Sequence, residues 1–153
     1  NPKNSKTKNN DNYFISYFKF LNRFLKKNKI YLCIETIPKN YNEKYIFRFS
    51  KLVYLISKID SSNIKINFDT SIFHYSKFDK KIFLKNLKNI KNIQISQPKF
   101  SYFDSPTKTN LAFLKLLKKN KKVTDISLEI IDKKLNKIKF VKSIQKIKNS
   151  LIN

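Results

Sequence analysis

The sequence predicts an α/β fold in which the short strands of a parallel sheet alternate with helices. Four short apolar runs are bounded by turn residues, and the residues after each run carry apolar positions at helical spacing. The runs are 30–34, 64–68, 93–96 and 125–131. Because strand and helix alternate four times, right-handed crossovers between parallel strands are expected.

Helices are predicted where apolar residues recur every three or four positions. These segments are 11–27, 43–59, 79–87, 108–119 and 135–150. Residues 1–10 consist mostly of Asn, Lys, Ser and Thr without periodicity, so a loop is predicted there. The chain contains no Gly. Asn is the residue that next best tolerates positive φ, and we therefore expect the turn asparagines to adopt it. They are Asn28, Asn40, Asn42, Asn63, Asn92 and Asn120.

The composition is strongly basic, with 34 Lys and Arg against 10 Asp and Glu and a net charge of +24. Such a charge suggests a nucleic-acid or anionic-membrane partner. Only Arg23 and Arg48 are arginine, and the favoured residues have A/T-rich codons, so codon bias explains much of the charge. The lysines are also spread over every predicted helix, which disfavours nucleic-acid binding. A basic nucleic-acid-binding domain is kept as an alternative function.

Several classes of protein are excluded by the composition. The chain is 41% hydrophobic, which is enough for a core and unlike a disordered tail. No apolar run approaches the ~18–20 residues that span a bilayer, so no membrane partner is expected and a cytoplasmic location is predicted. Cys33 is the only cysteine and His74 the only histidine. A disulfide framework, a Cys-based zinc site and a His-rich metal site are therefore excluded.

Acidic residues stand at the ends of three predicted strands. Glu35 follows the first strand, Asp69 follows the second and Glu129 lies in the fourth, while the third carries Gln94 and Ser96. Active sites of parallel α/β folds lie at these strand ends, and converging carboxylates repel each other unless a cation neutralises them. Oxygen ligands predict a divalent metal, with Mn²⁺ or Mg²⁺ favoured over Zn²⁺ or Co²⁺. Alternatively, each acid pairs with a lysine or caps the next helix.

Four short segments also carry a family resemblance. They are Leu-Cys-Ile-Glu-Thr-Ile-Pro at 32–38, Ile-Asn-Phe-Asp-Thr at 66–70, Ile-Gln-Ile-Ser-Gln-Pro at 93–98 and Ile-Ser-Leu-Glu at 126–129. In order and spacing they resemble strands five to eight of the sugar phosphate isomerase/epimerase family, the xylose-isomerase-like TIM barrels. The resemblance implies that residues 1–153 form one domain, the C-terminal half of a (β/α)8 barrel.

A complete TIM barrel typically needs ~250 residues and eight strands. We therefore expect the N-terminal half of this barrel to be missing from the chain. A half-barrel would expose two sheet edges and an apolar face. The expected macromolecular partner is therefore the missing half-barrel, or a second copy of the chain in a homo-oligomer.

The resemblance also implies a set of metal ligands. In that family a Glu, an Asp, a His and a Glu at strand ends hold one divalent metal. Glu35, Asp69 and Glu129 occupy the acidic places, whereas Gln94 occupies the place of the His. This is a departure, because an amide oxygen binds transition metals less tightly than imidazole does.

The activity implied for the complete barrel is isomerisation or epimerisation of a sugar, sugar phosphate or polyol. The metal would stabilise an enediolate, and Glu35 and Glu129 would act as the acid–base pair that moves a carbon-bound proton. His74, Ser96 and Asn110 are predicted to contact the substrate. The departure at the His place leaves an alternative, in which the barrel has lost its metal and its catalysis and serves as a binding module.

Overall fold

The structure is a computed structural model that describes residues 2–37, 46, 48–74, 77–120 and 125–152, with side chains from residue 10 onward except that of residue 74. Within these ranges five α-helices and four strands alternate. They are α1 (Pro2–Lys27), β1 (Leu32–Ile34), α2 (Phe49–Ile59), β2 (Ile64–Asp69), α3 (Lys80–Lys85), β3 (Ile90–Ser96), α4 (Lys108–Asn120), β4 (Asp125–Glu129) and α5 (Lys137–Ile152). Short 3₁₀ helices are added at Thr70–His74, Leu87–Asn89 and Pro98–Phe100.

The four strands form one sheet in the order β1-β2-β3-β4. Strands β1 and β2 pair in parallel with Leu32 opposite Ile64. Strands β3 and β4 pair in parallel, and Ser96 is opposite Glu129 at the end of the ladder. The predicted α/β fold with a parallel sheet is therefore confirmed.

Residue contacts divide the chain into two compact units, Asn1–Asn67 and Phe68–Asn153. In the first unit, the core is formed by apolar side chains of α2 and β2. The fully buried ones are Leu52, Leu55, Ile64 and Ile66. An ion pair also joins α1 to α2, since Lys51 Nζ lies 2.6 Å from Asp11 Oδ1.

The second unit has an aromatic core. Five phenylalanine rings contact one another with several centroid distances between 4.8 and 6.0 Å. They are Phe68, Phe73, Phe78, Phe83 and Phe113. Aromatic side chains each bury a large apolar area and gain a further ~0.5–1.5 kcal/mol per ring pair. The rings, with the buried Ile93 and Ile95 of β3, therefore provide much of the packing energy of this unit.

Strand β2 has an apolar and a polar face. In β2, Ile64, Ile66 and Phe68 are buried, whereas Lys65, Asn67 and Asp69 are half-buried. Side chains of a strand point alternately to opposite faces, so the three polar residues share one face. The polar face thus carries an acid at its carboxyl end.

The predicted loop over residues 1–10 is wrong, because α1 already begins at Pro2. Proline is accepted in the first turn of a helix, where its missing N–H has no partner to lose. No later residue up to Asn10 is Gly or Pro, so the helix of residues 11–27 can extend toward the N-terminus at the gain of one hydrogen bond per residue.

The expectation that Asn residues take the positive-φ positions is also wrong for the residues described. Positive φ occurs at Lys29, Asp60, Lys99 and Phe100. The turn asparagines act through their side chains instead. The Nδ2 group of Asn28 donates to the Phe24 carbonyl at 2.8 Å, and that of Asn120 donates to the Leu116 carbonyl at 2.7 Å. Asn40 and Asn42 lie outside the described residues.

Other predicted boundaries move by a few residues. Strand β1 is shorter than predicted and β3 begins earlier, at Ile90. Helix α2 begins at Phe49, while part of its predicted first turns lies outside the described residues. Among the described residues, no helix is both long enough and apolar enough to cross a bilayer.

Candidate functional site

Asp69, the last residue of β2, is held by the residue two positions further on. The backbone N–H of Ser71 donates to Asp69 Oδ1 at 2.9 Å, and the Ser71 hydroxyl donates to Asp69 Oδ2. An Asp side chain that accepts from the backbone two residues on is a common way to start a turn. The carboxylate of Asp69 is thereby fixed where the 3₁₀ helix Thr70–His74 begins.

Ser96, the last residue of β3, connects two of the predicted acids. Its Oγ lies 2.7 Å from Asp69 Oδ1 and 2.9 Å from Glu129 Oε2. Glu129 ends β4 and is the register partner of Ser96. Because a hydroxyl has one proton, it donates to one carboxylate at a time while its oxygen faces both. Two acids on different strands are thus brought together at one serine.

Two buried side chains form hydrogen bonds with the backbone N–H and carbonyl of Ser96. Thr70 Oγ1 accepts from the Ser96 N–H at 2.8 Å and donates to the Ser96 carbonyl at 3.0 Å. From α4, Asn110 Nδ2 donates to the same carbonyl at 2.9 Å and to Gln97 Oε1 at 3.1 Å. Thr70 and Ser96 are 0% exposed and Asn110 is 1% exposed. Hydrogen bonds buried in this way are costly to leave unmade.

Glu35 lies in the first unit, directly after β1. Its Oε2 accepts a hydrogen bond from Asn67 Nδ2 at 2.8 Å, and the Glu35 side chain is exposed. Asn67 lies on the polar face of β2. Glu35 therefore has an amide partner within its own unit.

Gln94 is half-buried on β3, two residues before Ser96, so the two side chains share a strand face. In the register, Gln94 is opposite Ser127 of β4. Asn92 of the same face donates to Ser127 Oγ at 2.9 Å. A polar face therefore runs along β3 and β4 toward the pair formed by Ser96 and Glu129.

The remaining predicted site residues are His74 and Asn110. The His74 side chain lies outside the described residues. Asn110 is in the buried network beneath Ser96, and its Oδ1 is the one buried side-chain N or O atom without a hydrogen-bond partner in the described part of the chain. Contact between Asn110 and a substrate stays a prediction.

Thr70, Ser71 and Gln97 also belong to this site and were not predicted from the sequence. Thr70 and Gln97 directly follow the strand-end residues Asp69 and Ser96, within the segments that carry the family resemblance. Ser71 stands at the spacing of an Asx turn from Asp69. These sequence signals could have identified the three residues as supports of the acids.

The loops after β3 and β4 are joined next to this site. The Ile131 N–H donates to the Phe100 carbonyl at 3.1 Å, and Tyr102 OH donates to Asp132 Oδ2 at 2.7 Å. The hydrogen bond from Tyr102 lowers the pKa of Asp132. Burial, with the bond to Asp132, raises the pKa of Tyr102.

The polar groups at the strand ends are therefore mainly oxygen atoms that can bind a ligand. Asp69 and Glu129 supply carboxylates, Ser96 a hydroxyl and Gln94 an amide oxygen. In the part of the chain that is described, no group of three or more His, Cys, Asp and Glu side chains comes together in a way that could hold a metal. The acids that meet within the second unit are a pair.

Comparison with known families gives a match over nearly the whole chain. A family model described as a xylose isomerase-like TIM barrel matches residues 2–144. A search of curated proteins finds no match.

Solved structures with a similar fold include three sugar epimerases. L-ribulose 3-epimerase matches with a TM-score of 0.74 and 13% identity, covering 90% of this chain and 52% of that one. D-allulose 3-epimerase from Methylomonas sp. in complex with D-allulose matches with a TM-score of 0.70 and 14% identity, covering 89% and 54%. D-psicose 3-epimerase in the presence of D-fructose matches with a TM-score of 0.66 and 13% identity, covering 90% and 52%.

At these identities the likeness shows the fold. The chain spans about half the length of the epimerase structures that it matches. A four-stranded parallel sheet that covers half of a barrel confirms the predicted half-barrel fold.

Proposed function

Because the chain belongs to the xylose isomerase-like TIM barrel family, we propose that it acts as a metal-dependent isomerase or epimerase on a sugar, a sugar phosphate or a polyol. The observation that carries the proposal is the meeting of Asp69 and Glu129 at Ser96. These residues end parallel strands, which is where TIM barrels hold their active sites. The sugar epimerases of similar fold support the same reaction class.

We infer that the oxygen atoms at the strand ends would hold a hard divalent cation. Carboxylate oxygens of Asp69 and Glu129 both lie within hydrogen-bond reach of one hydroxyl, so one ion could contact both. The amide oxygen of Gln94 and the carboxylate of Glu35 complete the proposed ligand set, by their places in the family pattern. A set made of oxygen suits Mn²⁺ or Mg²⁺ better than Zn²⁺ or Co²⁺.

In this proposal two glutamates carry out the proton transfers and the cation stabilises the charge that develops. A bound divalent cation supplies a Lewis acid that stabilises negative charge on the substrate oxygens. Glu129 removes a proton from the carbon beside the substrate carbonyl, and Glu35 returns a proton. Carboxylates on opposite sides of the substrate suit epimerisation, whereas one carboxylate that does both steps suits aldose–ketose isomerisation.

Exchange of a carbon-bound hydrogen of the sugar for deuterium tests this function directly. We expect the full chain with Mn²⁺ in D₂O to incorporate deuterium at the carbon beside the carbonyl of D-fructose, D-allulose or L-ribulose, observed by ¹H NMR. Glu129→Gln should lower the exchange rate at least ~100-fold, because a positioned general base contributes 10²–10⁴-fold. Asp104→Asn is the control and should exchange at the parent rate. Full exchange in Glu129→Gln would remove this residue from the mechanism, and no exchange in the parent would overturn the proposed function.

The second candidate function is a binding module that has lost catalysis. It is favoured by Gln94, since the amide binds a transition metal less tightly than the imidazole of the family pattern. This candidate predicts that the chain binds a sugar without exchanging its carbon-bound protons. Binding without exchange in the same NMR samples would favour it.

The macromolecular partner that we propose is a further half-barrel, in addition to the small sugar substrate. A groove of about 470 Å³ lies between β4 and α5 and is lined mainly by apolar side chains such as Ile126, Leu128 and Ile144. On α5, Ile138 and Val141 are exposed. The matched epimerases have about twice the length of this chain, which supports further βα units as the occupant of this surface. A cytoplasmic location remains part of the proposal.

A further inference from the structure

We propose that Ser96 is a positioning residue, which sets the spacing of Asp69 and Glu129 for the divalent cation. The inference rests on the proposed function, because it concerns the same pair of acids. It assigns Ser96 a role other than the substrate contact predicted from sequence. Its support is the arrangement of atoms around the hydroxyl and around the Ser96 peptide.

The Ser96 hydroxyl lies between the two acids. Ser96 Oγ is 2.7 Å from Asp69 Oδ1 and 2.9 Å from Glu129 Oε2. Two carboxylates at such a place repel each other, and a hydroxyl between them offers a dipole that offsets part of this repulsion. Hydrogen bonds to charged groups are also shorter and stronger than neutral ones. The serine therefore controls the distance between the two acids.

Ser96 itself is held in a fixed position by hydrogen bonds to its backbone. The β3–β4 ladder ends at Ser96 and Glu129, so the strand pairing alone does not hold the peptide that follows. Thr70 binds both the N–H and the carbonyl of Ser96, and Asn110 binds the carbonyl from α4. The hydroxyl is thus attached to a backbone that is held from two elements.

Ser96 and the two acids differ in burial. Ser96 is 0% exposed, which leaves it no surface for contact with a substrate. Asp69 and Glu129 are half-buried and can be reached. The acids are therefore the groups available to a ligand, and the serine acts through them.

Ser127 is a natural control for this role. It lies on β4 two residues before Glu129, and so on the same strand face. Its hydroxyl accepts from Asn92 rather than bridging carboxylates, and its side chain is exposed. Loss of this hydroxyl should leave the spacing of the acids unchanged.

The experiment measures Mn²⁺ binding by the full chain, by isothermal titration calorimetry and by the electron paramagnetic resonance signal of free Mn²⁺. Ser96→Ala should weaken the affinity ~10-fold or more, because partners of metal ligands typically contribute 10–100-fold. It should also broaden the resonance of bound Mn²⁺, since the ligand geometry becomes less uniform. Ser127→Ala should change the affinity less than twofold.

A second variant covers the case in which Ser96→Ala does not fold. Ser96→Cys fills the same buried space with a weaker donor, and we expect it to fold and to lose affinity as well. Parent-like Mn²⁺ affinity in a folded Ser96→Ala or Ser96→Cys protein would overturn the role of Ser96 while leaving the proposed function intact. A parent protein that binds no Mn²⁺ would overturn both. Mn²⁺ binding without sugar exchange would overturn only the proposed reaction.

Discussion

In the first unit the carboxylate of Glu35 accepts from the amide of Asn67 at an exposed position, whereas in the second unit Asp69 and Glu129 meet at the buried hydroxyl of Ser96. An amide donor satisfies one acid independently of any other. A shared hydroxyl couples two acids, so a change at either acid alters the hydrogen bond of the hydroxyl to the other. The comparison shows that equal positions at strand ends do not give equal surroundings.

The hydrogen bonds around the acids also differ in burial between the two units. The contact between Glu35 and Asn67 lies at the surface, where water can replace a lost partner. The contacts of Ser96 with Thr70 and Asn110 are buried, where no water is at hand to compensate a lost hydrogen bond. Loss of a hydrogen bond around Ser96 should therefore lower the stability more than loss of the bond between Glu35 and Asn67.

The largest expected effect is on the response of stability to metal. Mn²⁺ at about 100 times its dissociation constant should stabilise the parent by ~2.7 kcal/mol, which raises the melting temperature by roughly 5–10 °C. Asp69→Ala should remove this shift, because it deletes one of the two acids that meet at Ser96. Differential scanning fluorimetry measures both. Asp132→Ala, which removes an exposed acid outside the pair, should keep the shift; a full shift in Asp69→Ala would contradict the assignment of the site.

A smaller effect is expected from the buried support of Ser96. Thr70→Val keeps the shape of the side chain but leaves the Ser96 N–H without the acceptor it has in the parent. The expected loss of unfolding free energy is ~1–3 kcal/mol, measured by urea denaturation. In the first unit, Asn67→Ala should cost about 1 kcal/mol or less, since its bond to Glu35 is exposed. Thr109→Val, at an exposed position of α4, is the control, and equal losses in Thr70→Val and Asn67→Ala would refute the difference between the units.

The smallest effect is expected at Asp132, an exposed acid of the second unit with a tyrosine partner. Tyr102→Phe removes the hydroxyl that lowers the pKa of Asp132, so this pKa should rise toward its ordinary value. In the parent, the lowered pKa stabilises the fold above the pKa of unfolded Asp, and this contribution is lost as pH falls through the folded pKa. The variant should therefore lose less stability on acidification. Carboxyl ¹³C NMR against pH measures the change, with Tyr13→Phe on α1 as control, and an unchanged pKa in Tyr102→Phe would contradict the role of this bond.

The strands and the acids at their ends were predictable from the sequence because both signals are local. An apolar run bounded by turn residues needs no knowledge of distant partners, and Asp69 directly follows such a run. The parallel sheet follows from the alternation, and the carboxyl ends of its strands then share one edge. Asp69 and Glu129 both contact Ser96 at this edge, whereas the predicted metal ligand set stays a prediction.

The supports of the acids were not predictable in the same way. Ser96 is 27 residues from Asp69 and 33 residues from Glu129, so its contacts depend on the strand register and on rotamers. Thr70 reaches the Ser96 peptide across 26 residues for the same reason. The predicted start of α1 was wrong for a different reason. The composition of residues 1–10 did not reveal that the helix of residues 11–27 could extend back to Pro2.

We propose that the acids meeting at Ser96 form the core of a divalent metal site. The most direct measurement is a crystal structure of the full chain grown with MnCl₂, with anomalous diffraction recorded to locate manganese. We predict an anomalous peak in contact with carboxylate oxygens of both Asp69 and Glu129. Manganese bound elsewhere, or no peak at these two carboxylates at millimolar Mn²⁺, would contradict the claim.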